Sequence, residues 1–205
     1  MTAVRADESL EMPYPQYRCA TCGKDLPLTE ARLTVTCQEH RAGAKRGDYS
    51  VRPATPADKH DIEEICDRAW GETDVDAFGR TFDVFAAENL VAESDGEFAG
   101  LISLALDRGE LAVVLLSVYP GYQGSGVGSA LIAAAAELAR DKGVMALKIA
   151  TTNDDIPALH FYQRHGFAIY EIETGIMIDH HGEAIPGFAG IPVRDEIRLR
   201  RPVCP

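Results

Sequence analysis

No stretch of this 205-residue chain approaches the ~20 consecutive apolar residues of a membrane-spanning helix. Residues 1–8, Met-Thr-Ala-Val-Arg-Ala-Asp-Glu, lack the apolar centre of a secretory leader. These two absences lead us to expect a cytoplasmic protein without membrane contact, whose five cysteines stay reduced instead of pairing. Positive charge is also scarce. Twenty Lys and Arg face 32 Asp and Glu, and the deficit is local: residues 48–205 hold 13 basic against 26 acidic side chains. Such a surface repels nucleic acid and suits a cationic amine. No internal repeat or low-complexity segment is present, and an apolar fraction of 46% is enough for a real core.

The chain is organised around Val118-Tyr-Pro-Gly-Tyr-Gln-Gly-Ser-Gly-Val-Gly-Ser129, which joins the apolar run 111–118 to an alanine-rich helix from Ala130. Glycines let the backbone come close to a ligand, and the unpaired N–H groups of a first helical turn attract phosphate. No lysine follows these glycines, so the turn is not a Gly-x4-Gly-Lys-Ser/Thr phosphate loop. A dinucleotide fingerprint would open the first β–α unit, whereas this turn follows several strand-like runs. Two readings stay open on the residues alone: a phosphate-binding turn of another kind, and a glycine-rich loop with no ligand.

A second motif lies at Thr151-Thr-Asn-Asp-Asp-Ile-Pro-Ala-Leu-His-Phe-Tyr-Gln-Arg-His-Gly-Phe167. Asp154 or Asp155 caps a short helix, Pro157 occupies its first turn, and Gly166 ends it. Gln123-x-x-Gly126-x-Gly128 after a strand, followed by Ala158, Phe161, Tyr162, Gly166 and Phe167, resembles the two signatures of the GNAT acetyltransferase superfamily. The motifs cover 118–167 and the compatible element order covers roughly 48–201. Our reading of that order has strand Asp48–Pro53, a helix from Thr55, a second amphipathic helix marked by Phe78, Phe82 and Phe85, a hairpin through Asp95-Gly96, strand Glu110–Val118 and strand Val144–Ala150. The resemblance implies an α/β fold with a mixed sheet over residues 48–205.

It also implies acetyl-CoA as co-substrate. The pyrophosphate would rest on backbone N–H groups of Gln123, Gly124, Ser125, Gly126, Val127, Gly128 and Ser129. The pantetheine arm and the developing oxyanion would meet the backbone at Ser117 and Val118. Tyr162 matches the proton donor to the departing thiolate, with ordinary core packing as the plain alternative. Asp155 stands where the family has Asn, so it accepts but cannot donate a hydrogen bond to pantetheine. Glu110, at the start of the central strand, is the candidate base; a solvated glutamate at a strand end is its plain alternative.

Residues 1–17 read as a flexible tail, and 18–47 as a small separate unit. Cys19 and Cys22, then Cys37 and His40, form two pairs with the spacing of a tetrahedral structural zinc site resembling a zinc ribbon. With seven basic and six acidic residues in 1–47, a nucleic-acid surface is not expected there. Cys66 reads as a small hydrophobe buried in a helix.

The resemblance also implies an amine acceptor, either a small cationic one or that of a protein or peptide, and makes Glu72, Asp74 and Asp76 candidates to receive it. Residues 174–195, with their glycines, prolines, His180 and His181, suggest a lid or a contact in a homodimer. The alternative from another class is a sensor that binds acetyl-CoA without turnover and presents its zinc ribbon to a partner.

Overall fold

A computed structural model describes residues 49–182 and 185–203. Strand β1 (Tyr49–Pro53) stops at its proline, and Thr55 then opens a 3-10 turn whose Asp58 carboxylate takes the Thr55 N–H at 2.6 Å. Arg52 grips the same carboxylate with both terminal nitrogens, at 2.8 and 2.7 Å. That fork, aided by Thr55, holds the Asp58 carboxyl far below the usual range. Helix α1 (Lys59–Trp70) follows and ends at Gly71, whose φ of 79° only glycine adopts readily. Cys66 in this helix is fully buried, and burial pushes its thiol up.

The next segment departs from the sequence reading. Phe78, Phe82 and Phe85 do not line a helix; β2 (Asp74–Ala77) and β3 (Arg80–Asp83) form a hairpin instead. Its turn residues Phe78 and Gly79 both have positive φ, 56° and 70°, which matches a two-residue hairpin turn and excludes a helix. Phe82 and Val84 are buried by strand alternation, and Phe85 is exposed. The spacing of the phenylalanines satisfied a helical pattern by coincidence.

Strands β4 (Glu88–Ser94), β5 (Glu97–Asp107) and β6 (Glu110–Val118) make an antiparallel meander. Helix α2 (Val127–Asp141) returns the chain to β7 (Ala146–Thr152), which lies parallel to β6. Helix α3 (Ile156–Arg164) leads to β8 (Ala168–Glu173). Then come α4 (Ile176–His181), the short pair β9 (Ile185–Pro186) and β10 (Pro192–Val193), and β11 (Glu196–Pro202), which inserts between β7 and β8. The main sheet runs β1-β4-β5-β6-β7-β11-β8 and is mixed, as expected, with β6 and β7 its parallel neighbours. No helix among the described residues is long and apolar enough to cross a membrane.

Alternation along the strands divides the core in two. Leu90, Ile102, Leu111, Val113, Leu147 and Leu199 face α2, whose Leu131, Ile132, Ala135, Ala136 and Ala139 are buried against them. Alanine on the helix side lets the backbone sit close to the sheet. Val91, Leu101 and Leu115 face α1, and Ala112 and Val114 carry the hairpin through Ala77, Phe78 and Phe82.

The hairpin side also buries charge. Lys148 reaches Asp107, both nearly inaccessible, and Arg80 adds a 2.8 Å contact to the same carboxylate. Burial works to raise the Asp107 carboxyl, but its bonds to Lys148 and Arg80 outweigh this and hold it below the usual range. The pairs therefore stabilise the fold above about pH 4, and that contribution fades as pH falls through the depressed folded-state value. Asp107→Ala should lower stability by about 3–5 kcal/mol in urea unfolding, because Lys148 is left charged and buried. A loss no larger than that of an exposed pair, roughly 1 kcal/mol or less, would refute this assignment.

Candidate functional site

Two neighbouring strands part company at the centre of the sheet. Parallel pairing of β6 with β7 covers Leu111–Val113 opposite Leu147–Ile149 and stops there, although β6 continues to Val118 and β7 to Thr152. The break coincides with a bulge: β5 pairs Ser103 with Leu115 and Leu104 with Val113, leaving Val114 extra. A bulge bends and twists its strand, which carries the end of β6 away from β7 and leaves a gap.

Strand geometry settles which backbone groups face that gap. The Tyr119 N–H bonds to the Ala99 carbonyl of β5. Backbone direction alternates along a strand, so Ser117 also turns toward β5, and Leu116 and Val118 turn toward the gap. An ideal Cβ on Gly100 of β5 would lie 2.8 Å from the Ser117 carbonyl oxygen, which fits that direction. The expectation is corrected accordingly. Ser117 spends its backbone on the sheet, and Leu116 joins Val118 as a residue addressing the gap. The Val118 carbonyl accepts from the Gln123 side chain at 3.1 Å, so Gln123 braces the loop.

The glycine loop stands at the mouth of the gap. Gly124 and Gly126 have φ of 78° and 107°, and Gly126 is the residue before α2. Ser125 N–H returns to the Tyr122 carbonyl, whereas the N–H groups of Gly124, Gly126, Val127, Gly128 and Ser129 find no backbone acceptor among the described residues. Five unpaired donors lie at the positive end of a 15-residue helix, an arrangement suited to a phosphate diester. Gly126 has an unexpected neighbour: a Cβ there would lie 2.5 Å from the Tyr49 hydroxyl oxygen. Tyr49 of β1 thus belongs to this loop, and no local sequence signal marks it. A Cβ on Gly128 would lie 3.2 Å from the Phe161 ring, so this glycine serves the packing of α2 against α3.

Tyr162 is buried in α3, edge-on to Phe161 and Phe167. Its hydroxyl has no hydrogen-bond partner among the described residues. Burial, and secondarily the charge of Asp155, push the phenol well above its ordinary value. It therefore keeps its proton through neutral pH. The Asp155 carboxylate caps α3 by accepting the Ala158 N–H at 3.0 Å. Burial raises this carboxyl, opposed by that N–H.

The neighbouring residues explain the insertion. Asn153 accepts from the N–H groups of Arg194 and Asp195 at 2.8 and 2.9 Å and donates to the Pro192 carbonyl at 3.0 Å. Asp154 accepts the Phe188 N–H at 2.8 Å. The turn between β7 and α3 thereby anchors the 185–195 segment beside the parted end of β7.

Glu110 is not brought to this site. It lies in the paired part of the sheet, about 10 Å before the strands separate and about 26 Å before Val118 at the usual rise per residue. Its carboxylate is ion-paired with Arg200 of β11. Cys19, Cys22, Cys37 and His40 lie outside the described residues. Asp74 and Asp76 are exposed on β2.

Comparison with known proteins agrees with this geometry. The model of the acetyltransferase (GNAT) family matches residues 58–167. Streptothricin acetyltransferase of Streptomyces lavendulae is 35% identical over 112 residues, covering 54% of this chain and 54% of that protein. Mycothiol acetyltransferase of Clavibacter sepedonicus is 36% identical over 78 residues, 38% of this chain and 26% of that one. The chain thus spans about half or less of these two relatives. Among solved structures, the IAA acetyltransferase from Bacillus cereus is 25% identical with a TM-score of 0.58, covering 76% of this chain and 99% of that one.

Proposed function

Because this chain belongs to the acetyltransferase (GNAT) family, we propose that it is an enzyme moving an acetyl group from acetyl-CoA to an amine by direct attack in a ternary complex. The observation that carries the proposal is the parting of β6 from β7 beside five unpaired loop amides, with the protonated Tyr162 on the adjoining helix.

In this reading the N–H groups of Gly124 and of Gly126 to Ser129 hold the pyrophosphate, while that of Ser125 stays on the Tyr122 carbonyl. Leu116 and Val118 hold the pantetheine arm and the thioester with their gap-facing backbone. The amine lone pair attacks the thioester carbonyl, and the oxyanion that forms is met by strand N–H groups fixed in place before reaction. The carbon–sulfur bond then breaks as Tyr162 gives its proton to the sulfur, the nitrogen loses its extra proton to water, and Tyr162 regains a proton from water before the next turnover. Glu110 takes no part. The named relatives acetylate two different acceptors, and the excess of acidic residues in 48–205 favours a cationic amine here.

The test is turnover of acetyl-CoA, followed with a thiol reagent, across polyamines, peptide amines and aminated antibiotics. Acetylation of any of them upholds the reading. Tight CoA binding with no turnover across the whole panel overturns it in favour of a sensor.

We further propose a structural zinc on Cys19, Cys22, Cys37 and His40, supported by their spacing alone. Protein purified without added zinc should carry about one zinc per chain, and Cys22→Ser should lose it. Metal-free protein with unchanged resistance to proteolysis over 18–47 would refute this.

A further inference from the structure

Helices α2 and α3 touch through a contact that the cofactor reading does not use. The Nε2 of His165, just past the end of α3, lies 2.9 Å from the Ser129 hydroxyl in the first turn of α2. Its Nδ1 lies 2.7 Å from the Phe161 carbonyl oxygen, and the ring packs at a tilt against Phe161 with centroids 4.2 Å apart. Both contacts tie the imidazole in place.

The carbonyl can only accept, so Nδ1 carries a hydrogen in either charge state. In the neutral ring, Nε2 then carries a lone pair and accepts a hydrogen bond from the Ser129 hydroxyl, which keeps its proton. Ser129 therefore offers a phosphate oxygen only its own lone pairs, which repel. When the ring is protonated, Nε2–H donates to Ser129 instead. The hydroxyl hydrogen is released and can point at a phosphate bound on the loop. Neutral ring and bound diphosphate compete for one hydrogen.

We propose that His165 is a positioning residue for the diphosphate of CoA, and that binding this group at Ser129 is coupled to uptake of one proton by the imidazole. The inference rests on the cofactor reading above and adds to it a residue and a pH dependence. The charged groups around His165 do not supply a rival explanation. On α2 the first titratable side chain after Ser129 is Glu137, two turns and about 12 Å along the helix. On α3 stand Arg164 and, five residues before His165, the exposed His160, whose contribution the Ser129→Ala control removes from the comparison; Asp155 caps the opposite end. From β11, the Arg201 side chain passes beside Gly166. No ion pair to His165 is present among the described residues.

The experiment uses dephospho-CoA, whose diphosphate diester keeps its charge between pH 5.5 and 8. Calorimetry on the full chain should show Kd rising about ten-fold from pH 5.5 to 8, the worth of roughly one hydrogen bond to a charged group. It should also show net proton uptake at pH 7 when buffers of different ionisation heat are compared. Ser129→Ala should bind with a flat pH profile. His165→Gln, whose side-chain amide donates to Ser129 at every pH, should be flat and close to the wild-type affinity at pH 5.5. A wild-type profile without slope, or the same slope in wild type and Ser129→Ala, overturns the inference. Absence of any binding at all pH values would instead overturn the cofactor reading on which it rests.

Discussion

Gly126→Val should weaken CoA binding by about 100-fold or more, measured by calorimetry at constant pH. Two independent costs combine at this position. A φ of 107° lies outside the range a β-branched residue adopts without strain, typically costing about 1–3 kcal/mol. The first side-chain carbon would also lie 2.5 Å from the Tyr49 hydroxyl oxygen, so either β1 or the loop must shift. Whichever moves, the N–H groups of Gly126 to Ser129 lose their common aim, and the loop's affinity for a diphosphate goes with it. Stability suffers too, since part of the strain is present without ligand: a fall of several degrees in Tm is expected for a chain of this size. Pairing the change with Tyr49→Phe separates the two costs, because it removes the closest atom and leaves the strain. A Gly126→Val protein that binds CoA within about threefold of wild type would move the phosphate site off this loop.

Gly126 also shows what kind of information a sequence carries. That a glycine there permits an unusual backbone is legible from the letters around it, as is the capped helix from Asp155 to Gly166, because both are decided within a few residues. Tyr49 is not legible: it meets the loop only because β1 pairs with β4 and both pack under α2. The central strand illustrates the same limit. Its existence and ends are plain from the apolar run, yet the bulge at Val114 shifts the alternation by one residue, and with it the backbone groups that face the gap. Ser117 and Leu116 exchange roles for that reason. Glu110 fails differently. Reading it as a base requires knowing where β7 leaves β6, a fact stored in the pairing of residues far apart in the chain. The hairpin 74–83 is not legible either, because its three phenylalanines fit two periodicities and only the positive φ at Phe78 decides between them.

Tyr162→Phe should lower kcat by roughly ten-fold or more while leaving the KM for acetyl-CoA nearly unchanged. General acid help is typically worth 10²–10⁴-fold, and a thiolate, being a tolerable leaving group, needs the lower part of that range or less. The loss belongs to the transition state because the proton is needed only as the carbon–sulfur bond breaks, so binding of the cofactor should not register it. The structure makes the test clean. The ring packs edge-on between Phe161 and Phe167, and phenylalanine preserves both contacts. The hydroxyl has no hydrogen bond among the described residues, so its removal orphans no buried partner there, and Tm should move little. Burial and the nearby Asp155 keep the proton on the oxygen well above neutral pH, so ionisation of Tyr162 should not limit the wild-type rate between pH 7 and 9. An unchanged kcat in the variant, with acetyl transfer shown to be rate-limiting by a single-turnover measurement, would return Tyr162 to a packing role and leave protonation of the thiolate to water.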